Sequence, residues 1–194
     1  MITDAVANLM LDNQFPAGAA GMMLSAHSAF SATGASLLGA KTAANFAAAA
    51  SRTKGLAAAT DIAIAIGEVV RWVGVWDSTG VTFKGMQANG GDEKNFQVDL
   101  LNNRIYCEGH GYAANQTIVF TGGTPPAGLT EGTVYYAVTI TAGDPDYFQV
   151  SATSGGAAID ITAQAAAGCK VSKIVEETFA AAGTFRASTY NISL

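Results

Sequence analysis

The residues able to do chemistry in this chain are few, and their spacing suits none of the usual reactions. Gly109-His-Gly111-Tyr-Ala-Ala114 has the glycine rhythm of a dinucleotide-binding turn. No helical pattern follows it, so the helix N-terminus that would hold a pyrophosphate is missing. Gly122-Gly-Thr-Pro-Pro-Ala-Gly128 lacks the Lys and Ser/Thr of a phosphate loop and reads as a hairpin connection. Asp144, Asp146 and Asp160 could offer oxygens to a hard cation, yet Asp144-Pro-Asp146 is turn chemistry first. Glycoside hydrolysis needs two carboxylates facing one another, whereas Glu176-Glu177 would point to opposite faces of a strand. No Gly-x-Ser-x-Gly elbow occurs. Cys107 and Cys169 with two distant histidines make no zinc pattern. In a reducing cytoplasm the two thiols are expected free and buried, and a pair requires their strands to be neighbours. His27 has no nucleophile or carboxylate in a recognisable spacing and reads as a strand residue on an outer face beside a loop. The expectation is a non-enzymatic chain with no cofactor and no metal.

Recognition by aromatic side chains is the chemistry left. Trp72, Trp76, Tyr106, Tyr112, Tyr135, Tyr136 and Tyr147 could form a platform for sugars. The two tryptophans share a strand face and are better explained as core. Tyr135 and Tyr136 must project to opposite faces, leaving one exposed. The exposed recognition candidates are therefore Tyr112, Tyr135, Tyr136 and Tyr147.

The elements that would position these groups are strands. Residues 61–80 are the densest β-forming stretch: Ile62, Ile64 and Ile66 alternate with alanine, Gly67-Glu68 suits a turn, and Val69 to Trp76 is apolar on both faces, as a central strand would be. Asp77-Ser-Thr-Gly80 is a turn and Val81 to Gln87 resumes the alternation. The expectation is a three-stranded antiparallel meander. Before it, Thr3 or Asp4 can cap a short helix through Leu11 with Val6, Leu9 and Met10 on one side. A helix so short must dock, and those three residues are the candidate assembly interface. Met22, Leu24 and Ala26 point inward from a strand ending at His27, 28–42 reads as a surface loop, and 46–50, whose alanines alone favour a helix, reads in its sandwich context as an extended segment. After Asn102-Asn103 come short β segments at 104–107, 117–120, 133–141, 147–152 and 159–162, separated by Gly/Pro-rich breakers, the pattern of a small sandwich or barrel. The chain then returns through Lys173 to Phe179 and Thr184 to Leu194. The expected fold is mainly β: an antiparallel β-sandwich of residues 1–100 plus 172–194 with a short N-terminal helix, and a second small β module, 101–171, inserted into it.

Composition narrows the class. Apolar residues make up 49% and charged ones 13% of the 194, with 22 glycines. A surface so poor in charge is expected to be covered by partner subunits, as in a homo-oligomer, with a monomer rich in Ser, Thr and Asn as the competing reading. A net charge of −5 and a pI near 4.8, without a basic patch, exclude a general nucleic-acid surface. No apolar run reaches the roughly 18 residues of a membrane span, so no membrane insertion is expected. Met1-Ile-Thr-Asp has no basic n-region, so synthesis and retention in a cytoplasm until assembly is the expectation.

Residues 49–55, 62–66 and Val70-Arg-Trp-Val-Gly-Val-Trp-Asp-Ser-Thr-Gly-Val-Thr-Phe83 resemble small tailed-bacteriophage tail fibre proteins. In these a His-Val-Gly-Leu-Trp-Asp-x-x-x-Gly strand and turn sits mid-chain and a Gly-Thr-Tyr strand closes it. Gly74-Val-Trp-Asp77 matches the first and Gly183-Thr-Phe-Arg186 is similar to the second, while Trp72 stands where the family often has His. Gln116-Thr-Ile-Val-Phe-Thr-Gly-Gly123, 126–136 and 148–160 resemble a β module recurring in phage tail proteins, which shorter members lack. The resemblance implies a virion protein, a tail fibre or tail-tip component assembled in the host cytoplasm. Its partners would be other virion proteins and, through the insert, a host surface glycan or receptor. A capsid decoration protein and a host-glycan-binding module are the alternatives.

Overall fold

A computed structural model describes residues 2–193, with the side chains of Ala19 and Ala20 left aside. The chain forms a helix α1 (Asp4–Gln14) and strands β1 (Gly18–His27), β2 (Leu37–Phe46), β3 (Thr53–Gly55), β4 (Thr60–Ile64), β5 (Val69–Val70), β6 (Trp72–Asp77) and β7 (Phe83–Ala88). Then come β8 (Gln97–Asp99), β9 (Arg104–Tyr106), β10 (Gln116–Thr121), β11 (Tyr135–Val138), β12 (Tyr147–Ser151) and β13 (Lys170–Lys173), and finally β14 (Glu177–Thr178), β15 (Gly183–Ala187) and β16 (Asn191–Ser193). The fold is mainly β, and every strand pair is antiparallel.

Two units divide the chain, residues 1–89 with 176–194 and residues 90–175. The second unit begins and ends outside the expected 101–171. β8 pairs with β9, and Lys94 pairs with Val171, so the chain from Gly90 onward belongs to the later strands.

In the first unit one layer is a four-stranded sheet in the order β2-β1-β6-β7. The opposing layer is a long ribbon in which β3, β4 and β5 pair with β16, β15 and β14. Register carries from β4/β15 to β5/β14, where the step from Ile64 to Val70 equals the step from Gly183 back to Glu177, and shifts by one residue between β3/β16 and β4/β15. Between the layers Met22, Leu24, Ala26, Val73 and Val75 from the sheet meet Ile62, Ile64, Val70, Phe185 and Tyr190 from the ribbon. The expected meander is corrected here. β6 and β7 are a hairpin, but β4 goes to β15, because Ile62 and Ile64 bury against the sheet face instead of extending it. Residues 37–42, the end of the segment expected as loop, belong to the strand Leu37–Phe46, which is completed by β1 and puts Leu38, Ala44 and Phe46 in the core.

Helix α1 starts where the Thr3 hydroxyl accepts the Val6 N–H (3.4 Å) and Asp4 favours the positive end of the helix dipole. It ends at Phe15, held extended by the following Pro16. Ala7 and Leu11 are buried on one side. Beside them, Lys54, whose side chain is fully buried, donates to Asp12 Oδ1 (2.5 Å) and to the Ala47 carbonyl (2.7 Å), and the same carboxylate oxygen accepts the Ala49 N–H.

The second unit is a six-stranded antiparallel sheet, β13-β10-β11-β12-β9-β8, rolled until its ends meet. Lys94, just ahead of β8, exchanges both backbone hydrogen bonds with Val171 of β13 (2.8 and 3.1 Å), closing a small barrel. Ile105, Ile118, Phe120, Tyr135, Phe148, Val150 and Val171 fill it. Cys107 and Cys169 are free and buried in this core, and burial pushes both thiols up to about 11.

Lys54→Met is expected to lower unfolding free energy by about 1–3 kcal/mol in urea titrations, since it leaves the Ala47 carbonyl without its Lys54 donor and the Asp12 carboxylate with only the Ala49 N–H and solvent. Hydrogen exchange should speed up first in α1.

Candidate functional site

Helix α1 is docked through Ala7 and Leu11, with its polar stripe beside them. Asp4, Asn8 and Asp12, one turn apart, face the segment 47–54: Asn8 accepts the Arg52 N–H (2.9 Å), Asp4 pairs with the Arg52 guanidinium (3.2 Å), and Asp12 holds Lys54. Arg52 also donates to the Ile2 carbonyl (2.7 Å). The other stripe, Ile2, Val6, Leu9 and Met10, faces solvent, with Leu9 61% exposed. The expected docking residues are thus on the free face, and the helix holds to its own chain through Ala7, Leu11 and the carboxylates. The Lys54 hydrogen bond, chiefly, keeps Asp12 below the usual carboxylate range.

The closest approach to catalytic geometry lies on the outer face of the first sheet. His27, expected as an exposed strand residue, is fully buried. Its Nδ1–H donates to the Ala35 carbonyl (2.8 Å), so Nε2 accepts the Ser25 hydroxyl (2.7 Å), and Ser25 Oγ in turn accepts Trp76 Nε1–H (2.7 Å). The loop 28–36 seals this network. Phe30 packs on Trp72 (5.2 Å between ring centroids), and Gly34, at φ +78°, lies where a Cβ would come within 2.5 Å of the Trp76 ring. Ser25 and His27 meet as a nucleophile and a base would, but no substrate can reach them under that cover, and a backbone carbonyl stands where a triad places its carboxylate. Gly74, opposite Ser25 in the register, makes room: a Cβ there would fall 2.5 Å from His27 Nε2. The sequence hid this pair because Ser25 and His27 are ordinary strand neighbours on one face, and their cover is a loop.

Of the four tyrosines expected as exposed, two are core. Tyr112 is 8% exposed and packs on His110 and Phe148, and burial pushes its phenol up. Tyr135 is 6% exposed, because it shares the inward face of β11 with Ala137, and its hydroxyl accepts the Thr130 N–H (2.9 Å). Tyr136 and Tyr147 are half-buried on outward faces. Tyr147 meets Tyr106, a platform residue not among the expected exposed rings, at 5.1 Å between centroids, and the Arg104 guanidinium lies 3.8 Å from the Tyr147 centroid. The buried Ile105 next to Tyr106 was the signal that could have placed Tyr106 outward.

These rings separate two cavities. The larger, about 440 Å³, is lined by Glu93, Asn95, Phe96, Gln97, Tyr106 and Glu108 among others. The smaller, about 280 Å³, is lined by Asn102, Arg104, Thr139, Asp144, Tyr147 and Gln149 among others. Glu93 is exposed as a residue, yet its carboxyl turns in to accept the Thr121 hydroxyl (3.3 Å), and burial pushes it up. Asp144 pairs with Arg104 (3.0 Å) and Asp146 accepts the Gly109 N–H (2.8 Å). No cluster of metal-ligating side chains occurs among the described residues, and no helix among them is long and apolar enough to cross a membrane. No protein-family model, curated protein or solved structure matches the chain.

Gly74→Ala is expected to lower stability by roughly 2–3 kcal/mol in chemical denaturation, through the clash with His27 and Ser25. Burial lowers the proton affinity of His27 and His110, so the unfolded chain binds protons more readily. Their contribution to stability is full above the ordinary histidine value of about 6.5 and is lost as pH falls below it, through their lower folded values. Melting temperature should therefore be level above about pH 7 and decline below it. Below about pH 4 it should fall further as Asp12 and Asp77, both held low by hydrogen bonds, take up protons.

Proposed function

We propose that this chain is a non-enzymatic structural protein of a tailed-phage virion, a tail fibre or tail-tip component, anchored through helix α1 of the first unit. The observation that carries the reading is the inverted helix. Its carboxylates are spent on Lys54 and Arg52, while Ile2, Val6, Leu9 and Met10 form an apolar ridge in water. A ridge of this kind is what a helix lays into the hydrophobic groove of another protein. Four side chains fill only part of the roughly 800 Å² per partner of a standard interface, so the ridge is the centre of a larger contact with another virion protein. Copies of this chain would complete an assembly around it.

The low share of charged residues supports a surface covered on assembly. So does the resemblance of Gly74-Val-Trp-Asp77 and Gly183-Thr-Phe-Arg186 to tail fibre segments, which fall on β6 and β15. The second unit is left free for contacts beyond the particle, including a host surface glycan.

Leu9→Lys combined with Met10→Glu tests the anchor. Both positions are exposed, so the melting temperature should stay within about 2 °C of the parent. Incorporation into particles should fall about tenfold or more. Unchanged incorporation would remove the anchor. Immunogold labelling of intact particles with an antibody against the second unit places the protein: label at the tail end agrees with the fibre or tail-tip reading, and label over the head replaces it with capsid decoration.

A further inference from the structure

The outward face of β8, β9 and β12 carries a built, polar and aromatic surface. Val98, Ile105 and Phe148 point into the barrel, so Gln97, Tyr106 and Tyr147 point out. Gln97 pairs with Tyr106 and Tyr106 with Tyr147, so the three side chains form one row across three strands. Gln97 and Tyr106 border the larger cavity and Arg104, Tyr147 and Gln149 the smaller, so the two cavities share this face with the tyrosine pair between them.

The row is held rigid. Arg104 is fixed by Asp99 (2.9 Å) and Asp144 (3.0 Å) and lies over the Tyr147 ring, which in turn meets Tyr106. Side chains ordered before a ligand arrives lose little entropy when it binds. The groups left over face the cavities. Among the described residues the Tyr106 and Tyr147 hydroxyls, the Gln97 amide and the Glu108 carboxylate have no hydrogen-bond partner, so the surface offers both donors and acceptors.

Charge narrows the ligand. Arg104 is neutralised by its two aspartates, Lys94 faces Asp92 (3.4 Å), and Lys170, held by Asn95, sets its charge against Glu93, whereas Glu108 forms no ion pair among the described residues. An anionic polymer would meet the unpaired Glu108 carboxylate. Ring faces offer apolar surface to the C–H faces of a sugar, and the free hydroxyl, amide and carboxylate groups match sugar hydroxyls. The strand spacing of about 4.8 Å is close to the rise of one hexose in an extended chain.

We propose that the outward face of β8, β9 and β12 binds a neutral, extended hexose polymer, with Tyr106 and Tyr147 as the central platform and the cavities on either side as flanking subsites. This deepens the glycan contact suggested above for the second unit. It rests on that unit alone, so its failure leaves the anchoring role of α1 untouched, and failure of the anchor leaves this site standing.

The test is amide NMR of the full chain titrated with cellohexaose, maltohexaose and chitohexaose, with a heparin-derived hexasaccharide as the anionic comparison. At least one neutral hexasaccharide should give saturable shifts at residues 97, 104–108 and 147–149, and the heparin fragment none. Gln97→Ala, an exposed change that the fold tolerates, and Tyr106→Ala should each weaken binding about tenfold. No shift from any of the three neutral sugars at about 10 mM would overturn the proposal. So would shifts confined to other residues, equal binding of the heparin fragment, or Gln97→Ala binding like the parent.

Discussion

The first unit depends on a pairing between residues far apart in the chain. Residues 53–70 and 177–193 form one antiparallel ribbon, and Val70 lies opposite Glu177 with the whole second unit in the intervening sequence. The ribbon is a layer of the sandwich, so without it Ile62, Ile64, Phe185 and Tyr190 have no place in the core. Closing so long a loop adds little to the entropic term, because that term grows only as the logarithm of length. Speed is another matter, since long-range β pairing is slow to form. A barrel that closes through its own hydrogen bonds between Lys94 and Val171 brings the two ends of that insertion to neighbouring positions in one sheet, which shortens the effective loop the ribbon must close.

The ribbon also determines which way α1 faces. β3 belongs to it and carries Lys54 with no exposure, so the cation must find a carboxylate within the fold, and Asp12 supplies it. Once Asp12 is turned toward Lys54, helical spacing brings Asp4 and Asn8 along the same side, toward Arg52. Val6, Leu9 and Met10 then have nowhere to go but out. The apolar ridge is a geometric consequence of satisfying one buried charge.

This explains what the sequence could and could not tell. The apolar positions of α1 are plain from spacing, but the face that docks is decided by Lys54 and Arg52, some forty residues later. β6 is legible because both of its faces are apolar, and the inward set Met22, Leu24 and Ala26 because it alternates. β2 is not, since its Gly, Ala, Lys and Asn outweigh the strand-favouring Thr42 and Phe46 and pairing with β1 makes the strand. Gly67 resembles a hairpin turn, which hides the pairing of β4 with β15. The opposite orientations of Tyr135 and Tyr136 follow from alternation, but which of them faces the barrel depends on sheet closure.

The tyrosine face has the same origin. A small barrel must turn bulky residues inward on every strand, and Ile105 and Phe148 take that role in β9 and β12. Their neighbours Tyr106 and Tyr147 are forced outward, opposite each other in register. At the end of β11, Thr139 takes φ +56°, an unfavourable conformation for a β-branched residue, at the rim of the smaller cavity. Backbone held in a sparsely populated region costs on the order of 1–3 kcal/mol and persists where the surrounding structure imposes it. Here the chain leaves β11 along the cavity wall, and the turn where Thr141 pairs with Asp144 follows at once, placing Asp144 on Arg104. Thus the strained residue and the fixed guanidinium belong to one loop, and that loop holds the Tyr147 ring in place beside Tyr106.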